Sequence, residues 1–152
     1  MNKLCGATAW ILCLAGLTSS HAQDAPSPEF LSSGKLASDL PFSEAVRIDN
    51  LLLLSGQIGA PPGTTRLVPG GIKEEARQVM TNIKAILEAH GYAMTDLVKC
   101  TVMLADMSQW AAFNEVYRTF FDKRFPARSA FGANGLALGA QVEVECIAYR
   151  AR

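Results

Sequence analysis

Residues 142–148, VEVECIA, alternate side chains with the period of a β-strand, and this run limits what the chain can fold into more than any other stretch. A strand turns every second residue to the same side, so Glu143 and Glu145 share one face about 6.5–7 Å apart, and Ile147 and Tyr149 continue it. A plain solvent face needs no such apolar company. The carboxylates are therefore expected to border a covered surface, such as a contact with another subunit. Just upstream, Pro126 disfavours helix at Phe125 and makes a second extended segment, which carries Arg128. An arginine fork and a carboxylate on rigid backbone suit a small carboxylate substrate, because a guanidinium can bind a carboxylate through two parallel hydrogen bonds.

With 152 residues, 49% of them hydrophobic, the chain suits one compact domain with a core of its own. Residues 1–22 stand apart from it. A short basic start at Lys3, an apolar run over 4–17 and the small residues of Ser20-His21-Ala22 read as a secretory signal peptide cleaved after Ala22. The run is shorter than the roughly 20 apolar residues that span a bilayer, so no retained membrane anchor is expected, and the protein is expected across the inner membrane, in the periplasm. Removal of residues 1–22 leaves 13 basic side chains against 14 acidic ones. Such a balance supplies no basic surface for nucleic acid. Two cysteines remain, Cys100 and Cys146; an exported protein could join them, but two buried free thiols are the expected state.

Along the rest of the chain, residues 23–39 are rich in Ser and Pro and read as a flexible leader to a domain over 40–152. Residues 43–48 and 51–58 read as a hairpin through Asp49-Asn50, with Gly56, beside Ser55, marking a bulge, a close approach or tight packing. After a Gly- and Pro-rich loop, Ile72, Ala76, Val79, Ile83 and Leu87 recur at helical spacing, and Gly91 stops that helix. A strand over 97–105 is expected to put Val98, Cys100, Val102 and Leu104 on one face. Ser108 is expected to cap a second helix, 109–121, whose stripe of Trp110, Phe113 and Tyr117 also carries Asn114. This order predicts an α+β fold, a mixed β-sheet with two helices packed on one face and the other face left for oligomerisation.

Several chemistries find no support. After cleavage His90 is the one histidine, at a helix end where a cation is favoured, so no histidine triad or zinc spacing exists. The glycines of 59–71 match no phosphate-binding pattern, and neither cofactor nor metal is expected.

The segments LPFSEAV (40–46), LLLLSGQIG (51–59), EEARQVMTNIKAILEAHG (74–91), LVKCTVMLADM (97–107), FNEVYRTFF (113–121), FPARSAF (125–131) and GLALGAQVEVECIAYR (135–150), in this order, resemble the RidA (YjgF) family of enamine/imine deaminases. The resemblance implies a chorismate-mutase-like fold and a homotrimer whose sheets form a central barrel, with sites in clefts between subunits. It implies that Arg128 grips the substrate carboxylate, that Glu143 places or activates water, and that Ser55, Gly56 and Asn114 line the site. Phe42 stands at a substrate-binding position where many active members carry Tyr, and Ala130 stands where many carry Cys. The implied activity is hydrolysis of enamine/imine intermediates of the 2-iminobutanoate/2-iminopropanoate type to 2-keto acids and ammonia. The alternative is a non-catalytic exported trimer that binds small carboxylates or partner proteins; an endoribonuclease, also attached to relatives, fits the neutral charge least.

Overall fold

The computed structural model describes residues 27–34 and 40–151. The signal-peptide reading of 1–22 lies outside the described residues, as does much of the expected leader. Within that leader, however, Glu29–Leu31 is a strand, β1, paired antiparallel with β2. Three residues in a Ser/Pro-rich context carry too short a pattern to be read as a strand.

The described residues form a seven-stranded mixed sheet. Its strands are β1, β2 (Ala45–Ile48), β3 (Leu51–Leu54), β4 (Gln57–Ile58), β5 (Leu97–Leu104), β6 (Ala127–Gly132) and β7 (Val142–Tyr149). They lie in the order β1-β2-β3-β7-β5-β6, with β4 also on β7. Only β5 and β6 run parallel, since helix α2 (Trp110–Tyr117) carries the chain back between them. The expected hairpin forms, and Asp49 takes φ +52 at its turn, a conformation Asp tolerates better than most residues.

The expected single strand over 51–58 is two. Between the pairs Leu53↔Ile147 and Gln57↔Val144 one side advances four residues while β7 advances three, so Ser55-Gly56 holds a bulge. A second irregularity corrects the reading of β5. The register shifts between Leu97 and Lys99, so Leu97 enters the core and Val98, 44% exposed, leaves the face that Cys100, Val102 and Leu104 share, all three of them buried. The cysteines are also corrected. They are buried, but Cys100 and Cys146 form a disulfide rather than free thiols, because β5 and β7 place them directly opposite each other with Cα atoms 4.1 Å apart.

Helix α1 (Ile72–Ala89) packs Ala76, Val79, Met80, Ile83 and Leu87 at zero exposure in one core with Val142, Val144 and Ala148 of β7. Truncating one such residue, as in Ile83→Ala, costs about 2–5 kcal/mol. The helix stops as expected at Gly91, φ +82: Tyr92 N–H donates to the Leu87 carbonyl and Gly91 N–H to that of Glu88, the paired bonds of a Schellman end. The second helix differs at its start. Asp106, not Ser108, is the capping residue; its carboxylate accepts from both the backbone and the hydroxyl of Ser108 and opens a short turn, Met107–Gln109, ahead of α2. Those bonds hold the Asp106 carboxyl below its usual range.

Both helices cover one sheet face. The other face presents Leu51 and Leu53 beside their cross-strand partners Tyr149 and Ile147, with Phe131 further along.

Candidate active site

Arg128 follows the buried Pro126 and sits in register with Cys100, so its side chain leaves the sheet on the helix side. There its guanidinium carbon lies 4.7 Å from the centre of the Trp110 ring, 4.6 Å from Tyr117 and 5.9 Å from Phe113. Three residues of one helical stripe therefore crowd one cation, and ring faces attract and orient a guanidinium. Asn114 joins Tyr117, Arg118, Phe125 and Arg128 around a cavity of about 410 Å³. Burial pushes the Tyr117 hydroxyl up to about 12, against the opposing pull of the Arg128 charge, and its oxygen is buried without a partner among the described residues. Among the described residues no carboxylate pairs with Arg128.

Glu143 lies on the opposite side of the sheet. It is three residues from Cys146 on β7, an odd number, so its side chain points away from the face that carries the disulfide and Arg128. The bulge glycine makes room for it: a Cβ at Gly56 would stand 2.0 Å from Glu143 Oε1. Burial lifts the Glu143 carboxyl above the usual glutamate range, and the neighbouring Glu145 charge adds to the rise. Ser55 belongs to this half, although its hydroxyl is engaged, donating to the Ser43 carbonyl at 2.7 Å. Phe42, Gly56 and Leu138 line a second cavity of about 340 Å³.

The residues singled out from the sequence thus separate into two half-sites. Arg128 and Asn114 occupy one; Glu143, Gly56, Ser55 and Phe42 occupy the other. A single chain does not bring the guanidinium and the carboxylate together, since the sheet stands between them.

Supporting side chains escaped the sequence reading. Trp110 and Tyr117 read as core stripe, yet they hold the arginine. Gln57 donates its amide to the carbonyls of Ser55 and Gly56, both at 3.1 Å, and so pins the bulge. On α1 the buried Asn82 donates to the Ala60 and Ile58 carbonyls at 2.8 and 3.3 Å, while Glu75 accepts from Gln141 N–H at 2.8 Å, just before β7. Polar residues interrupting the apolar stripe of α1 were the signal that could have marked them. His90 also has a second role: its Nε2 lies 3.2 Å from Glu44 Oε2, and the same buried carboxylate accepts from Ser33 through both backbone and hydroxyl.

An α+β domain with an arginine clamped by aromatic rings on one face and a desolvated glutamate on the other is a framework for handling small carboxylates. The chain belongs to the endoribonuclease L-PSP family, whose model matches residues 33–150, and so to the RidA/YjgF group that its motifs resemble. A goat (Capra hircus) protein named 2-iminobutanoate/2-iminopropanoate deaminase is 47% identical over 108 residues, covering 71% of this chain and 79% of its own. The crystal structure of RidA from the Antarctic bacterium Psychrobacter sp. PAMC 21119 matches with a TM-score of 0.72 at 37% identity, over 84% of this chain and 100% of that one. Escherichia coli TdcF with bound serine matches with a TM-score of 0.73 at 31% identity, over 80% of this chain and 98% of that one.

Proposed function

We propose that this protein hydrolyses reactive 2-imino acids, formed from their enamines, to 2-keto acids and ammonia, the activity in the name of its goat relative. The observation that carries the reading is Glu143 packed against Gly56: a carboxylate with raised proton affinity, fixed on a strand, is suited to accept and return a proton. Arg128 holds the substrate carboxylate through two parallel bonds, worth roughly 1.5–3 kcal/mol. Glu143 takes a proton from water as its oxygen bonds to the imine carbon. The protonated Glu143 passes that proton to the imine nitrogen to give the carbinolamine, and its carboxylate then carries the proton of the new hydroxyl to the same nitrogen as the C–N bond breaks and the C=O bond forms, so one imine plus one water become one keto acid plus one ammonia.

Because one chain holds Arg128 and Glu143 on opposite sheet faces, the working site takes Arg128 from one copy and Glu143 from another. A homotrimer that covers Leu51, Leu53, Ile147 and Tyr149 supplies that arrangement. We further propose export, with residues 1–22 as the signal. The buried Cys100–Cys146 disulfide supports it, since such bonds persist in oxidising compartments. Mass spectrometry of the purified protein, alkylated in denaturant without reductant, is expected to find both cysteines unlabelled; labelled thiols would remove that support.

Phe42 favours a second reading, a trimer that binds small carboxylates without turnover, because it brings no hydroxyl to the cavity it lines. The ribonuclease of the family description gains little: acidic and basic residues balance at 14 each, and His90, the one described histidine, is bound to Glu44. The deciding experiment generates imines in situ with an amino-acid oxidase and times keto-acid release with and without the protein. Acceleration is expected; unaccelerated release together with measurable keto-acid binding would establish the second reading.

A further inference from the structure

We propose that the cavity lined by Phe42, Gly56 and Leu138 receives the substrate's side chain and selects imino acids with a large, branched apolar group over the shortest ones. This rests on the deaminase reading above. The cavity, about 340 Å³, falls at the small end of ligand pockets, which begin near 300 Å³, and it exceeds what a methyl group fills. Leu40, Phe42, Ile58, Pro61, Ile86 and Leu138 form much of its wall. Gly56 lines it too, and the same glycine is the backbone on which the Glu143 carboxylate rests. Gly56 is thus the residue through which a side chain seated in the cavity connects to the Glu143 half-site.

Apart from the Thr65 hydroxyl, the polar side chains in the wall make hydrogen bonds within the chain. Asn82 bonds the carbonyls of Ala60 and Ile58, the Gln57 amide bonds those of Ser55 and Gly56, and Glu44 is held by Ser33 and His90. A polar substrate side chain entering here would lose its water and find few partners in exchange.

The mouth of the cavity carries the more unusual sign. Leu40, Phe42 and Leu138 are 41%, 50% and 58% exposed, three large apolar side chains around one opening. Leu138 also adopts φ +58, the left-handed conformation that Gly, Asn and Asp take with ease and a branched apolar residue does not. A leucine in that conformation, exposed in the single chain, gains nothing from that chain's core. It gains contact when an apolar group enters the cavity beside it.

The test compares imines made in situ from L-leucine and L-alanine, for the parent and for Leu138→Asn, which keeps a residue at home in the left-handed region. The parent is expected to show kcat/KM at least about tenfold higher for the leucine-derived imine, since one methylene in an apolar pocket is worth about 10-fold to 200-fold. Leu138→Asn should cut that ratio severalfold. A parent ratio at or below one overturns the preference, and a high ratio that Leu138→Asn leaves unmoved overturns the assignment to this cavity. Binding of the unreactive keto acids 4-methyl-2-oxopentanoate and pyruvate, by calorimetry, decides the matter without turnover. At least about tenfold tighter binding of the former supports the cavity even if no imine is hydrolysed, an outcome that would sink the deaminase reading alone; equal or weaker binding overturns the cavity's role.

Discussion

Arg128 on β6 is held by side chains, the rings of Trp110 and Tyr117 at 4.7 and 4.6 Å, whereas Glu143 on β7 is held by backbone, in the space a Cβ at Gly56 would fill. The two means suit the two ions. A guanidinium remains charged in any protein environment, so aromatic faces can strip it of water and fix its plane without altering its protonation. A carboxylate responds differently, because desolvation makes it hold a proton more readily, as burial does to Glu143. One half-site is therefore a permanent anchor and the other a group able to exchange protons.

Breaking the proton-exchanging half is expected to have the largest effect. Glu143→Gln keeps the shape but accepts no proton, so kcat should fall by about 10²- to 10⁴-fold with keto-acid binding retained. Parallel losses of binding and rate would instead make Glu143 a binding group.

Breaking the anchor comes next. Arg128→Lys keeps the charge and loses the planar fork, and kcat/KM should drop roughly 10- to 100-fold, with Arg128→Ala little worse. Trp110→Leu keeps the arginine and removes one ring face, a loss of about 0.5–2 kcal/mol that should be visible mainly in KM. Thermal melts and light scattering on each variant separate these effects from dissociation of the assembly. Should Arg128→Lys remain assembled and turn over imines as fast as the parent, the carboxylate-clamp mechanism is wrong.

How each half-site was legible in the sequence follows the same division. The alternation over 142–148 was enough to put Glu143 and Glu145 together on one face, since period-2 alternation is local. Register is not local. The one-residue slip that exposes Val98, the pairing of Cys100 with Cys146, and the placement of Arg128 and Glu143 on opposite faces all depend on how distant strands align, which periodicity does not encode. Gly56 shows the middle case. Its bulge was one of several readings of a glycine in a strand, and only the Glu143 side chain facing it explains why no larger residue fits. Trp110 and Tyr117 were read as core, because a stripe that packs on a sheet and a stripe that packs on an arginine look alike until β6 is placed beneath it.

A smaller change tests whether backbone does hold the glutamate. Gly56→Ala puts a methyl group where Glu143 Oε1 lies, and the far end of that side chain must swing away. The displaced atoms belong to a flexible side chain, so little stability should be lost; a change of no more than a few degrees in Tm with about a tenfold loss in kcat is expected. A large loss of Tm would show instead that the bulge itself is strained by the substitution.

The smallest effect is the most specific to the chemistry. Glu145 shares the face of Glu143, and its charge is the second cause, after burial, that lifts the Glu143 carboxyl above the ordinary 4.5. If deprotonated Glu143 is the form that activates water, kcat/KM rises with pH through this raised value. Glu145→Gln removes a negative neighbour, makes proton loss easier, and should move the acid limb to lower pH while leaving the plateau near that of the parent. Stability carries the matching sign. A carboxyl whose folded value is raised favours the fold below its unfolded value, and this contribution is lost as pH rises through the folded one, so Glu145→Gln should lessen the loss of stability over that window. An acid limb that stays in place in Glu145→Gln would mean that the titrating group is not Glu143, and the division between a fixed anchor and a proton-exchanging partner would then have to be drawn with another residue in the second role.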